Sequence, residues 1–390
     1  MSVPFHLDEG LRPYATDKQW KKLKAIEKHG TERAAAKALG LHRASFYATK
    51  QAVLKKAALH GYAPDYDLVH PVPDGMKLRG VSTLYDTSGD PKIQWVKSEA
   101  DKERQEEIFK EAITAMASDL PRIQPSKGPE HGSEKLMACY LVSDHHFGML
   151  SWDEETGGNY DLSISERLLT GSMDHLIVTA PPCNKASVVF LGDLLHYDSF
   201  ETVTPTGRNP LDADGRFPKM VRVAIRCMRY LIESAAQRHK KVHVVVEIGN
   251  HDLSSSIFLM ECLSNVYENE PRITVDTSPA HYHYFDFGKC LVGIHHGHGT
   301  KMANLPLIMA TDRPEQWGAA DYRYWWTGHV HIDQMKDFTG CKVESFRILA
   351  PKDAWAAEKG YRAQQDMKAI ILHKDYGEVA RHIVNPEMLK

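Results

Sequence analysis

At 390 residues the chain is long enough for two or three domains. Hydrophobic residues make up 42% and charged residues 25%, which is a globular composition and excludes a disordered or fibrous chain. No run of about 18 apolar residues occurs, and Met1 to Gly10 lacks the basic start and apolar middle of a secretory signal. No membrane association is therefore expected, and the expected location is the cytoplasm, or the host cytoplasm for a phage-encoded protein.

Six cysteines, at 139, 183, 227, 262, 290 and 341, never form a Cys-x-x-Cys pair. That argues against a zinc knuckle or a disulfide frame and leaves histidine and carboxylate to hold any metal. The net charge is only −3, but it is unevenly spread. Between Arg12 and His60 twelve Lys and Arg face three acids, a local balance of +9 that leaves −12 on the remainder. A basic head on an acidic body points to nucleic acid as the partner of the head.

The head reads as three helices. "TDKQWKKLKAIEKHG" begins at Thr16 as an N-cap, sets Trp20, Leu23 and Ile26 on one face and ends at Gly30. "TERAAAKALG" is a short Ala-rich helix closed by Gly40, and "LHRASFYATKQAVLKKAAL" is a third. The pattern resembles the helix-turn-helix domains of resolvases and small transcriptional regulators over about 45 residues. That resemblance puts Arg43, Ser45, Phe46 and Lys50 near the start of a recognition helix, with Arg43, Ser45 and Lys50 as DNA contacts. A plain three-helix bundle with a solvated basic face fits the same residues.

From Gly61 to Pro129 the chain reads as a connector. A Pro-rich stretch, "GYAPDYDLVHPVPDGMK", precedes two β-rich runs around Ser-Gly-Asp that predict a hairpin. "EADKERQEEIFKEAITAMASDL" predicts a charged helix with Ile108, Ile113 and Met116 on one side, and "PRIQPSKGPEHG" is a second linker.

Beyond it, five apolar runs end in metal-liking residues: "MACYLVSDHHFG", "ASVVFLGDLLH", "VVVEIGNHD", "KCLVGIHHGHG" and "YWWTGHVH". In α/β sheets the C-terminal edge of the strands is where ligands bind. One such ending is a turn with a surface histidine. Five in order argue against coincidence. Between the second and third, "KMVRVAIRCMRYLIESAAQ" predicts a helix with Val221, Ala224, Ile225, Met228, Leu231, Ile232 and Ala235 on one face.

These blocks, D-x-H, G-D-x-x-[DH], G-N-H-[DE], H and G-H-x-H, resemble the signature of the calcineurin-like metallophosphoesterase superfamily over about residues 137–350. The resemblance implies an α/β, four-layer fold: two packed mixed sheets flanked by helices, behind a small all-α head. The expected division is 1–60, 61–130 and 131–390. It also implies two divalent ions, Mn²⁺ foremost with Mg²⁺, Fe and Zn²⁺ compatible, which activate water as hydroxide and neutralise phosphate oxygens. By the family pattern Asp144, His146 and His331 hold one ion, Asn250, His296 and His329 the other, and Asp193 bridges them. His251 then donates a proton or steadies the phosphate, oriented by Asp252.

His196 stands where nuclease relatives usually have Asp, and its role is open between a supporting partner and a substrate contact. His296 is preferred over His295 and His298 because it precedes the Gly. His145 is expected to face away from the site, and His281 and His283 to be strand residues. The loop "YDSFETVTPTGRNPLDADGR" is too long for a plain connection, and its Arg208 and Arg216 are candidate phosphate contacts, or solvated arginines. Trp325 and Trp326 are either base-stacking groups or core.

The reaction expected is phosphodiester hydrolysis by a metal-dependent DNA nuclease similar to the SbcD-like and phage-encoded phosphoesterases. The alternative is a phosphatase or cyclic-nucleotide phosphodiesterase on small substrates. DNA is the expected partner, and the sequence also allows a homodimer.

Overall fold

The computed structural model describes residues 6–63, 68, 76–85, 91–101, 129 and 132–390. The chain divides into two compact units, 1–110 and 111–390. The predicted hairpin belongs to the first unit. Residues 102–120 of the expected charged helix lie outside the described residues, as do 64–67 and 69–75 of the first linker and all of the second but 129 and 132, while Glu99 and Ala100 belong to a strand.

In the first unit, helices α1 (Asp17–His29), α2 (Glu32–Leu39) and α3 (Arg43–Leu59) enclose Trp20, Leu23, Ile26, Ala35, Ala36, Phe46, Val53 and Ala57. Thr16 caps α1 in a reciprocal box with Gln19, which satisfies two backbone N–H groups that the first turn leaves free. Gly30 and Gly40 end α1 and α2 in the left-handed conformation. Three residues, 40–42, separate α2 from α3. Strands β1 (Met76–Tyr85) and β2 (Pro91–Ala100) pair antiparallel.

The second unit holds two mixed sheets. The first is built from β3 (Ser133–Val142), β4 (Cys183–Phe190), β5 (Lys241–Val246), β6 (Ile273–Val275), β12 (Met367–His373) and β13 (Gly377–Val384), in the order β13-β12-β3-β4-β5-β6. The second has β7 (His283–Phe287), β8 (Cys290–Ile294), β9 (Tyr322–Thr327), β10 (Gln334–Phe338) and β11 (Cys341–Ser345), in the order β10-β11-β9-β8-β7. Strands β3 to β6 run parallel, as do β8, β9 and β11. Parallel strands are covered on both faces, which explains near-continuous runs such as "KVHVVV".

Cys139, Leu141, Val189, Val245, Val292, Ile294, Trp326, Phe346 and Ile370 fill the space between the sheets. Against the outside of the first sheet lie helices α5 (Leu162–Thr179) and α6 (Phe217–Arg238), and outside the second, α8 (Leu305–Asp312) adds Leu305 and Met309 to a cluster with Leu291, Trp325 and Val343. Helix α7 (Leu253–Val266) and the short helices α4 (Asp153–Thr156), α9 (Pro314–Ala319) and α10 (Ala354–Glu358) also belong to the unit. The expected four-layer α/β architecture is therefore present. Trp325 and Trp326, at 0% and 1% exposure, belong to its core, which removes them as stacking groups. Among the described residues no helix is long and apolar enough to cross a membrane.

Candidate metal centre

All five polar blocks leave the C-terminal ends of parallel strands. Asp144 and His146 follow β3, Asp193 and His196 follow β4, and the Asn250–Asp252 turn joins β5 to α7. His296 follows β8, while His329 and His331 follow β9. The first sheet thus supplies the carboxylates and the amide, and the second supplies three imidazoles.

The backbone bends sharply to do this. Asp144, His146, Asp193, His329 and His331 all adopt positive φ, between 40° and 70°, a region that side-chain-bearing residues avoid. Five such residues at one edge mark a place where geometry is held against local preference. Glycine is required beside them: a Cβ at Gly249 would collide with the Asp193 amide and carboxylate, and one at Gly328 with the Asp144 carboxylate.

Donor atoms converge in three groups, each within 4.8 Å: Asp144, His146 and His331; Asp193, His296 and His329; and His146, His196 and His251. His331 Nε2 lies 3.3 Å from Asp144 Oδ1 and 3.4 Å from His146 Nε2. His296 Nε2 lies 3.2 Å from Asp193 Oδ2 and 3.0 Å from Asn250 Oδ1. Donors bonded at about 2.1 Å to one cation sit roughly 3.0–3.4 Å apart, so these spacings fit a shared divalent ion in each of the first two groups. Nitrogen and oxygen donors without sulfur suit Mn²⁺, Fe or Zn²⁺.

Backbone N–H groups fix the carboxylates. His329 N–H donates to both oxygens of Asp144, at 2.9 and 3.0 Å, and Ser143 Oγ donates to the same group. His251 N–H donates to Asp193 Oδ1 at 2.8 Å. His296 Nδ1 sits 2.7 Å from the Leu191 carbonyl, which only accepts, so Nδ1 carries the hydrogen and Nε2 is the donor atom toward a cation.

The electrostatics separate two kinds of histidine. Burial pushes His146 well down, aided by the charges of His251, His196 and His331, and takes His196 to about 3. Both are neutral, the form that binds metal. Burial also opposes a charge on His296 and His331, but Asp193 and Asp144 outweigh it, raising His331 and pushing His296 up to about 10. Burial would raise Asp193, yet His296 holds it well below the usual carboxylate range. The centre is thus built around buried negative charge that a cation would compensate.

The Asp252 carboxylate bonds to backbone N–H groups. It accepts Leu195 N–H at 3.0 Å and Gly249 N–H at 3.1 Å, tying the Asp193 loop to the Asn250 turn, and burial next to Asp193 pushes it up to about 7. The His251 ring is oriented by its Nδ1, 2.8 Å from the His196 carbonyl. His196 is 98% buried, with Nδ1 3.3 Å from His146 Nδ1, and so supports a ligand.

The remaining candidates sort by their contacts. His145 turns away to the Ser165 carbonyl at 3.1 Å, as expected. His295 stacks on Tyr282 with ring centroids 4.7 Å apart, and half-buried His298 stays beside the His296 and His329 rings without joining a donor group. His283 opens β7, whereas His281 lies just before it. Arg208 is paired with Glu201, and Arg216 stands exposed at the N-cap of α6. In α3, Ser45 is half-buried and accepts Lys22 Nζ at 2.6 Å, and Lys50 Nζ is 3.7 Å from Glu32. The exposed residues of α3 include Arg43, Tyr47, Gln51, Lys55 and Lys56. Helix phase, fixed by buried Phe46, Val53 and Ala57, turns Tyr47 and Gln51 outward.

No protein-family model matches this chain, and no curated protein matches it. Among solved structures it is similar to a novel archaeal phosphodiesterase, at 13% identity over 64% of this chain and 100% of that one, TM-score 0.33. It is also similar to Vps29 complexed with zinc from Entamoeba histolytica, at 12% identity over 64% and 98%, TM-score 0.28.

Proposed function

We propose that the second unit is a metal-dependent phosphodiesterase and that the chain acts on DNA. The observation that carries this reading is the convergence of buried and half-buried Asp, Asn and His donors from five strand ends into two adjacent groups. Asp144, His146 and His331 would hold one divalent ion, Asn250, His296 and His329 a second, with Asp193 between them. When bound, such a pair supplies neutralised phosphate oxygens and an activated water.

The chain's own groups do the rest. Asp193 holds the two donor groups together by charge, and its carboxylate is fixed by the His251 amide. His251 Nδ1 is committed to the His196 carbonyl, so Nε2 remains to steady a phosphate oxygen or give a proton to the departing one. His196 sets both the His251 ring and the His146 ring.

DNA is favoured over small esters by the head. Its local balance of +9 is carried on regular helices, with Arg43, Tyr47, Gln51 and Lys55 on the outward face of α3. The test is an activity panel with added Mn²⁺ on single- and double-stranded DNA, RNA, cyclic nucleotides and a chromogenic diester. Hydrolysis of DNA and the diester is expected. Turnover of cyclic nucleotides alone would replace this reading with the small-substrate one.

A further inference from the structure

Glu247 interrupts an otherwise apolar strand end, three residues before Asn250. It is fully buried, and neither carboxylate oxygen has a full hydrogen bond among the described residues. Burying a carboxylate is costly, and a Val or Leu here would avoid the cost.

Its neighbour explains the choice. Glu247 Oε2 lies 3.5 Å from Nε2 of His283, which is 2% exposed and equally without a full hydrogen bond at that atom. His283 Nδ1 is 2.9 Å from Asp276 Oδ2. Asp276 itself is anchored to the first sheet, because its N–H donates to the Val244 carbonyl at 2.9 Å. An imidazole of the second sheet therefore sits between two carboxylates delivered by the first.

Register gives the contact its meaning. His283 pairs with Ile294, two residues before His296. Glu247 and Asn250 lie on one turn, as Ile294 and His296 lie on one strand end. Two cross-sheet contacts thus run side by side: Asn250 to His296 at 3.0 Å among the metal donors, and Glu247 to His283 behind them. The Asn250 donors come from one sheet and the His296 donor from the other, so any slip between sheets would open that half of the centre.

We infer that Glu247, His283 and Asp276 form a buried clasp between the sheets, positioning residues that keep His296 at metal-binding distance from Asn250 and Asp193. The inference rests on the metal-centre reading for its purpose, though not for its geometry. Partners of this kind behind metal ligands are worth about 10- to 100-fold in metal affinity.

The experiment uses the full chain with Glu247→Gln and, as a second variant at a half-buried position, Asp276→Asn. Mn²⁺ affinity is measured by titration calorimetry, and amide hydrogen exchange over 294–297 is followed in metal-free protein. The expected result is about 10- to 100-fold weaker Mn²⁺ binding in Glu247→Gln, a smaller loss in Asp276→Asn, and faster exchange at 294–297 in both. Mn²⁺ affinity within twofold of wild type, with unchanged exchange in both variants, would overturn the clasp. A wild-type protein that binds no Mn²⁺ while Glu247→Gln still loosens 294–297 would support the clasp and remove the metal reading.

Discussion

The metal-bearing edge and the basic head carry charge in opposite ways. At the edge, Asp144, Asp193, His146 and His296 are at most 3% exposed, and the first three stand on backbone bent into unfavoured conformations. In the head, Arg43, Lys55 and Lys56 stand exposed on regular helix. Buried charge in a dry site is strong and tolerates no displacement, as chemistry needs. Exposed charge is weak per residue, screened by salt, and additive, as binding along a polyanion needs. The difference teaches where single substitutions will be decisive and where they will be graded.

The largest effect is expected at the edge. Asp193→Asn removes the carboxylate between the two donor groups and should abolish hydrolysis of every ester with the fold intact, because each cation then faces the other with poor compensation. Turnover and metal content would be read together. Near-normal activity with two ions bound would break the assignment of Asp193.

His251→Ala should lower turnover by about 10²–10⁴ with both ions retained, the usual worth of a positioned proton donor. The loss should be smaller for a nitrophenyl diester than for DNA, since that leaving group needs little protonation. Loss of a metal ion in this variant would move His251 into the donor set.

In the head the expected effects are graded. Arg43→Ala with Lys55→Ala should weaken DNA binding about tenfold and reduce the slope of log affinity against log salt by about 0.9 per lost phosphate contact. Ser45→Ala and Lys50→Ala should do less, because those side chains are engaged by Lys22 and lie beside Glu32. Turnover of the small diester should be unchanged. Equal losses from both sets would blur the distinction between outward and inward faces.

The smallest effect concerns burial without function. His239 is fully buried, with Nδ1 2.8 Å from the Cys183 carbonyl and Nε2 2.9 Å from the Tyr140 hydroxyl. Burial pushes its pKa down to about 4, against an unfolded value near 6.5. Between those values the unfolded chain binds the proton and the folded one does not, so stability is full above about pH 6.5 and falls as pH drops toward 4. The slope from this group is at most about 1.4 kcal/mol per pH unit. Thermal melts of His239→Gln from pH 7 to 4 should fall less steeply than those of wild type.

Much of this was legible in the sequence because each block carries its own signal. A β-rich run followed by Asp, Asn or His names both the strand and its function-bearing end. The N-caps and closing glycines of the head are equally local. What escaped was set by distant pairing. Helix α5 and strands β12 and β13 drew no assignment, and β12 joins the sheet only by pairing with β3, more than two hundred residues earlier. The role of Asp252 depends on Leu195 in another loop, and the turning of Ser45 toward Lys22 depends on the packing of α3 on α1. The run VVVEIGNHD alone did not assign Glu247 a partner, because that partner, His283, comes from the other sheet.

The central claim is that two adjacent donor groups at one sheet edge hold two cations. Anomalous diffraction from crystals soaked in Mn²⁺ tests it directly. The account predicts two peaks, one among Asp144, His146 and His331 and one among Asn250, His296 and His329, with Asp193 reaching both. A single peak, or one on His146, His196 and His251 instead, would contradict it.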